Sequence, residues 1–99
     1  MLLFTFRDSL QDEFSAFFKH QKIQAYTSIP KVHGVGSSGE AFGSFHTQGE
    51  NVLVLATLPD DQAQRTLEAF RLLRDVLSTR QQGANIPAHL MVLPCEEII

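Results

Sequence analysis

The chain has 99 residues and a mass of 11.1 kDa, a size that fits one domain and excludes a two-domain arrangement. Hydrophobic residues make up 43% of it and charged residues 19%, which is the composition of a folded globular domain and excludes a disordered chain. A net charge of -3 disfavours nucleic acid as a partner, since binding to a phosphate backbone requires a basic surface.

The chain begins with a short apolar segment over residues 2–6, which predicts a buried strand. The charged pair Arg7 and Asp8 ends this segment too early for a signal peptide or a membrane-spanning helix, so we expect no direct membrane insertion. Residues 9–20 then predict an amphipathic helix, because apolar side chains recur at helical spacing at Leu10, Phe14, Phe17 and Phe18.

Two further strands are predicted on either side of a long loop. Residues 23–32 contain several β-favouring side chains, and Pro30 requires that this strand lie at an edge or contain a bulge. Residues 34–45 are rich in glycine and serine and predict a long flexible loop. A nearly continuous apolar run over residues 51–58 predicts a strand that is covered on both faces.

The second helix is predicted to begin at Pro59, where Asp60 and Asp61 suit the N-terminal end of the helix dipole. Its core-facing side chains are predicted at Leu67, Phe70, Leu73 and Leu77, flanked by Ala63 and Val76. After a polar turn over residues 80–87, residues 89–93 predict the last strand.

This order of elements predicts an α+β fold, a ferredoxin-like βαββαβ sandwich with two helices on one face of an antiparallel sheet. The other face of the sheet then needs cover. We expect apolar residues there, Val52, Val54, Leu90 and Val92 or their alternates, and a second copy of the chain is the simplest cover for them. The sequence therefore predicts a single domain that forms a homo-oligomer.

Two of the four histidines, His33 and His46, flank the long loop. If the strands beside the loop pair as a hairpin, these two side chains approach each other and could hold zinc or copper, with Glu40 as a further ligand. The alternative is that both are partly exposed, hydrogen-bonding residues at strand ends. A lone cysteine, Cys95, excludes an internal disulfide and favours a cytoplasmic location.

The loop glycines give a second candidate site. The backbone N–H groups around Gly34 and Gly36 could bind an anion or a phosphate. They do not form a dinucleotide fingerprint, because that motif leads into a helix and these glycines lead toward a strand. The nearby Ser37 and Ser38 lack both a nucleophile elbow and an orienting acid, so we expect no enzymatic activity.

Several motifs resemble those of the PII-like signalling proteins, small members of the nitrogen regulatory protein PII superfamily. They are Ile-Pro-Lys-Val-His-Gly-Val-Gly at residues 29–36, then Gly39, Gly-Ser-Phe-His at 43–46, Gly-Glu-Asn at 49–51, and the closing residues 92–99. The resemblance implies a ferredoxin-like trimer whose long loop, the T-loop of the family, reaches a protein partner. That partner would be a membrane transporter or a cytosolic enzyme.

The resemblance also implies site residues. A small ligand, an adenine nucleotide among them, would bind between subunits at Gly34, Gly36, Arg80 and Gly83, and the loop residues Ser37, Ser38, Gly39 and Phe42 would contact the partner. The sequence departs from PII after the second helix, where residues 79–86 keep one glycine and no lysine. It also has no tyrosine in the loop, so control by uridylylation is not supported.

We therefore expect a regulator that senses a divalent metal at His33 and His46 in preference to a nucleotide. Two other classes compete with this interpretation. One is a metal-tolerance protein that has no partner, and the other is a small enzyme with an active site between subunits.

Overall fold

A computed structural model describes residues 1–33, 50–80 and 86–96 of the chain. Every predicted helix and strand is present. The elements are β1 (Leu2–Arg7), a 3-10 turn (Asp8–Leu10), α1 (Gln11–His20), β2 (Thr27–Val32), β3 (Asn51–Ala56), α2 (Asp60–Arg80) and β4 (Ala88–Val92). Two strands are shorter than predicted, since β2 begins at Thr27 and β3 ends at Ala56. None of the described helices is long and apolar enough to cross a lipid bilayer.

The four strands form one antiparallel sheet in the order β2-β3-β1-β4. The central pair places Phe4 opposite Val54, and β4 places Leu90 opposite the same phenylalanine. Both βαβ units thus interleave their strands in the way that defines a ferredoxin-like fold. The predicted fold class is confirmed.

The core lies between one face of the sheet and both helices. Its centre is a cluster of phenylalanine rings, in which Phe6 of β1 stacks on Phe14 of α1 with centroids 4.1 Å apart. Phe70 of α2 meets Phe4 of β1 edge to face at 6.0 Å. These contacts place both helices on the same face of the sheet, as the apolar periodicity of α1 and α2 predicts.

The face of the sheet that points away from the helices carries the second of the two residue sets that we expected there, the alternates of Val52, Val54, Leu90 and Val92. Val52 and Val54 pair with buried residues of β1 and belong to the helix-covered core, so the alternate residues of their strand take the outer face. Leu90 packs against the same core, and Val92 is paired with the buried Leu2. The outer face instead carries Leu3, Ile29, Leu53, Leu55 and Met91, which we call the outer apolar face.

The edge strand β2 is irregular near its C-terminal end. In β2, Lys31 has a left-handed φ of 60°, and the register with β3 shifts between Ile29 and Val32. Pro30 lies inside this irregularity, as predicted for an edge or a bulge.

On α2, Val76 is exposed although it was expected beside the core, and Thr66 is buried there.

Candidate functional site

The two undescribed internal segments, residues 34–49 and 81–85, connect to the same end of the sheet. The strand β1 ends there at Arg7, β2 ends there at Val32, and β3 and β4 begin there at Asn51 and Ala88. The register shows this directly, since Arg7 and Val32 both lie opposite Asn51. We call this region the loop end of the sheet.

Backbone hydrogen bonds fix the residues that border both segments. The N–H of Asp8 donates to the carbonyl of Glu50 at 2.8 Å, directly after the first segment. The N–H of Arg7 donates to the carbonyl of Pro87 at 3.1 Å, close to the end of the second segment. Arg7, at the end of β1, and Asp8, in the following turn, therefore hold the borders of both segments next to each other.

A side chain of α2 adds a third link at the loop end. Arg74 donates from Nη2 to the carbonyl of Ile86 at 3.2 Å, and this bond is partly buried. The Nε of the same guanidinium is buried and has no hydrogen-bond partner among the described residues. Arg74 thus connects the C-terminal part of α2 with the residue that follows the segment 81–85.

Beside this link lies an open groove of about 750 Å³ between α2 and β4, which we call the α2–β4 groove. Its apolar lining consists of Leu67, Phe70, Ala88 and Leu90 on the helix side of the sheet, with Met91 of the outer apolar face at the β4 edge. Its polar lining consists of Thr5, Arg71, Arg74, Asp75 and His89. Two guanidinium groups and an apolar floor give the groove the chemistry to accept an organic anion.

The site residues that the sequence predicts fall into two groups. His33 lies exposed directly after β2 at the loop end, and Arg80 lies exposed at the C-terminal end of α2. The other predicted site residues lie outside the described residues; they are Gly34, Gly36, Ser37, Ser38, Gly39, Glu40, Phe42, His46 and Gly83. The predicted flexible loop over residues 34–45 also lies outside them.

The described part of the chain contains no group of three or more His, Cys, Asp or Glu side chains that could hold a metal ion. The predicted metal site at His33, His46 and Glu40 is not tested by this, because two of its three members lie outside the described ranges. The thiol of Cys95 is free and exposed.

The sequence reasoning missed the arginines of the groove. The apolar periodicity of α2 does not include Arg71 and Arg74 among the core-facing side chains, and Arg71 is indeed exposed. Arg74 is half-buried because it lies four residues after the buried Phe70, on the same side of the helix. That spacing is the signal that could have placed Arg74 beside the core.

Comparison with protein-family models and with curated proteins finds no match to this sequence. Comparison with solved structures finds CPII, a nitrogen regulatory PII-like protein from Thiomonas intermedia K12, bound to ADP, AMP and bicarbonate. One structure of it, at 2.3 Å, matches with a TM-score of 0.59 and 13% identity over 90% of this chain and 84% of that chain. A second structure of the same protein matches with a TM-score of 0.60 and 15% identity over 91% of this chain and 80% of that chain.

At this identity the likeness shows a shared fold. The resemblance to PII-like proteins that the motifs indicate is thereby confirmed at the level of the fold.

Proposed function

We propose that this chain is a non-enzymatic, PII-like regulatory protein that binds a small ligand at the loop end and signals its presence to a protein partner. One observation carries the proposal. In a fold shared with a nitrogen regulatory protein, the borders of residues 34–49 and 81–85 are held side by side through Arg7 and Asp8. A ligand that contacts both segments can shift the chain between states that differ in partner affinity.

An adenine nucleotide is the ligand class that we favour, with bicarbonate as a second anion. Support comes from CPII, whose structures contain ADP, AMP and bicarbonate. Gly34, Gly36 and Gly83 would contribute backbone N–H groups, and Arg80 would contribute a positive charge for the phosphates. The adenine nucleotide thus replaces the divalent metal that we expected from the sequence as the leading ligand.

The functional unit in this proposal is a homotrimer. The outer apolar face would be covered by neighbouring copies, since Ile29 is 41% exposed and Met91 is 51% exposed in a single chain. A measurement of mass in solution at micromolar concentration tests this, and a stable monomer would contradict it. The partner contact would involve Ser37, Ser38, Gly39 and Phe42, in a cytoplasmic complex with a transporter or an enzyme.

A thermal-shift panel on chelator-treated protein tests the ligand. Because a ligand that binds only the folded state stabilises it by about 2.7 kcal/mol at a hundred times its Kd, ADP and AMP should raise Tm measurably. The shift should shrink in Arg80→Ala and persist in Arg65→Ala, which removes an exposed arginine nearer the start of the same helix. Absence of a shift with ADP, AMP and bicarbonate would contradict the nucleotide proposal.

A divalent metal is the second candidate ligand, and the position of His33 favours it. This side chain is exposed at the end of β2, and an imidazole nitrogen is a good ligand for zinc or copper. His46 of the following segment would supply the second ligand. Zinc or copper should then raise Tm in the same panel. His33→Ala and His46→Ala should abolish the shift, and His20→Ala, at the exposed end of α1, should leave it unchanged.

A further inference from the structure

The α2–β4 groove has a shape that suits a small organic molecule. Its volume of about 750 Å³ falls in the range of roughly 300 to 1,000 Å³ that is typical of ligand pockets. Phe70 and Ala88 are buried parts of the core that form its floor, and Leu90 is packed against them. A flat apolar body would therefore lie against aromatic and aliphatic carbon atoms.

The polar lining of the groove has a basic character. Two arginines, Arg71 and Arg74, face one carboxylate, Asp75, in a chain whose net charge is -3. The ion pair of Arg71 with Glu68 spans 3.1 Å, but both side chains are more than 60% exposed, at 63% and 68%. Such a pair is weak and can be exchanged for a better anion.

Arg74 is incompletely paired where it now lies. Its Nη2 donates to the Ile86 carbonyl, and its buried Nε finds no acceptor in the described part of the chain. A buried donor without a partner is unfavourable, and a guanidinium pairs best with two oxygens of one carboxylate or phosphate. An anion in the groove would therefore compete with the Ile86 carbonyl for this side chain.

From these observations we propose that the α2–β4 groove binds an organic anion with a flat apolar body, and that Arg74, assisted by Arg71, holds its acid group. Nucleoside monophosphates and aromatic carboxylates or sulfonates share this chemistry. The residues of the groove differ from those of the proposed loop-end ligand site, so an anion can bind the groove whether or not a ligand binds at the loop end.

Fluorescence titration of the full chain in its native assembly with 8-anilinonaphthalene-1-sulfonate tests the proposal. We expect saturable binding at a single site per chain. Because hydrogen bonds to a charged group are lost, Arg74→Ala should weaken binding by about tenfold or more. Arg65→Ala is the matched control, since it removes an arginine of the same helix that pairs with Asp61 at 3.4 Å outside the groove, and its affinity should equal that of the wild type.

A second variant separates loss of the site from loss of the fold. Leu67→Trp would fill the groove from its half-buried wall without removing a charge, and it should also weaken binding of the sulfonate. Each variant should keep the cooperative thermal unfolding transition of the wild type, because a loosened core binds this dye non-specifically. Competition with AMP then identifies the source of the anion.

Displacement of the dye by AMP from both the wild type and Arg80→Ala would support a nucleotide as the ligand of the groove. If dye binding depends on Arg74 but AMP does not displace the dye, the result would support an aromatic acid as the ligand of the groove. The proposed nucleotide site at the loop end would then be tested separately by the thermal-shift panel. Equal affinities of Arg74→Ala and Arg65→Ala, or no binding to the wild type, would overturn the proposal.

Discussion

Thr66 provides a sharp test of the packing in α2. Its side chain is 1% exposed within the apolar core, and its hydroxyl has no hydrogen-bond partner among the described residues. A buried hydroxyl without a partner costs about 1 to 3 kcal/mol of desolvation. Thr66→Val keeps the branched shape and nearly the same helix propensity, and it removes the hydroxyl.

We expect Thr66→Val to raise the free energy of unfolding by about 1 kcal/mol, the lower end of that desolvation cost. For a domain of this size the corresponding rise in Tm is about 4 to 8 °C. Urea and thermal unfolding should be measured without ligand at one fixed protein concentration, because assembly would otherwise change the apparent stability.

The matched control is Thr79→Val on the same helix. The hydroxyl of Thr79 is exposed and donates to the carbonyl of Asp75 at 2.9 Å, so its removal should bring no gain. Equal or lower stability of Thr66→Val relative to the wild type would refute the reasoning, since it would mean that the hydroxyl is satisfied in the folded protein.

Three further predictions concern the core, the outer apolar face and the surface. Phe14→Ala should lower the free energy of unfolding by about 3 to 5 kcal/mol in urea denaturation, because it removes a fully buried ring from the centre of the core. Leu55→Asp should reduce the mass of the assembly in light scattering, whereas Leu72→Asp, at a position that is 66% exposed on α2, should leave the mass unchanged. Arg65→Gln, which breaks the exposed pair with Asp61, should change the free energy of unfolding by no more than about 0.5 kcal/mol.

The elements and the fold class could be predicted because periodicity and element order are local properties. The spacing of Phe14, Phe17 and Phe18 identifies the buried side of α1, and the interleaved order of strands and helices limits the topology. The irregular edge around Pro30 could be predicted as well, since proline cannot complete a ladder of backbone hydrogen bonds.

The facing of the strands could not be predicted in the same way. In β3 nearly every residue is apolar, so alternation does not show which set faces the helices. The register with β1 decides it, because Val52 and Val54 lie opposite the buried Phe6 and Phe4. A pairing of this kind joins residues far apart in the chain, and a one-residue shift would exchange the two faces.

The role of Arg74 depends on the same kind of long-range information. Its position in α2 is evident from the sequence, but its contact with Ile86 depends on where β4 begins relative to the helix. A polar residue near a buried helix face is typically read as solvent-facing. Only the tertiary structure shows that its Nε is buried and that its Nη2 reaches a backbone carbonyl.

Coupling between a ligand in the groove and the loop end would have to pass through an element that has two arrangements. The backbone bonds from Arg7 and Asp8 are poor candidates, because they continue the pairing of the sheet and breaking them would disrupt its end. The bond from Arg74 to Ile86 is different, since a flexible side chain makes it and an anion can compete for the same donor. If an anion in the groove changes the affinity for a ligand at the loop end, then by linkage that ligand changes the affinity of the groove for the anion by the same factor. We therefore expect Arg74→Lys to weaken both the effect of the groove on the loop end and the effect of the loop end on the groove. A lysine keeps the charge but loses the planar fork that allows two acceptors to be held at once.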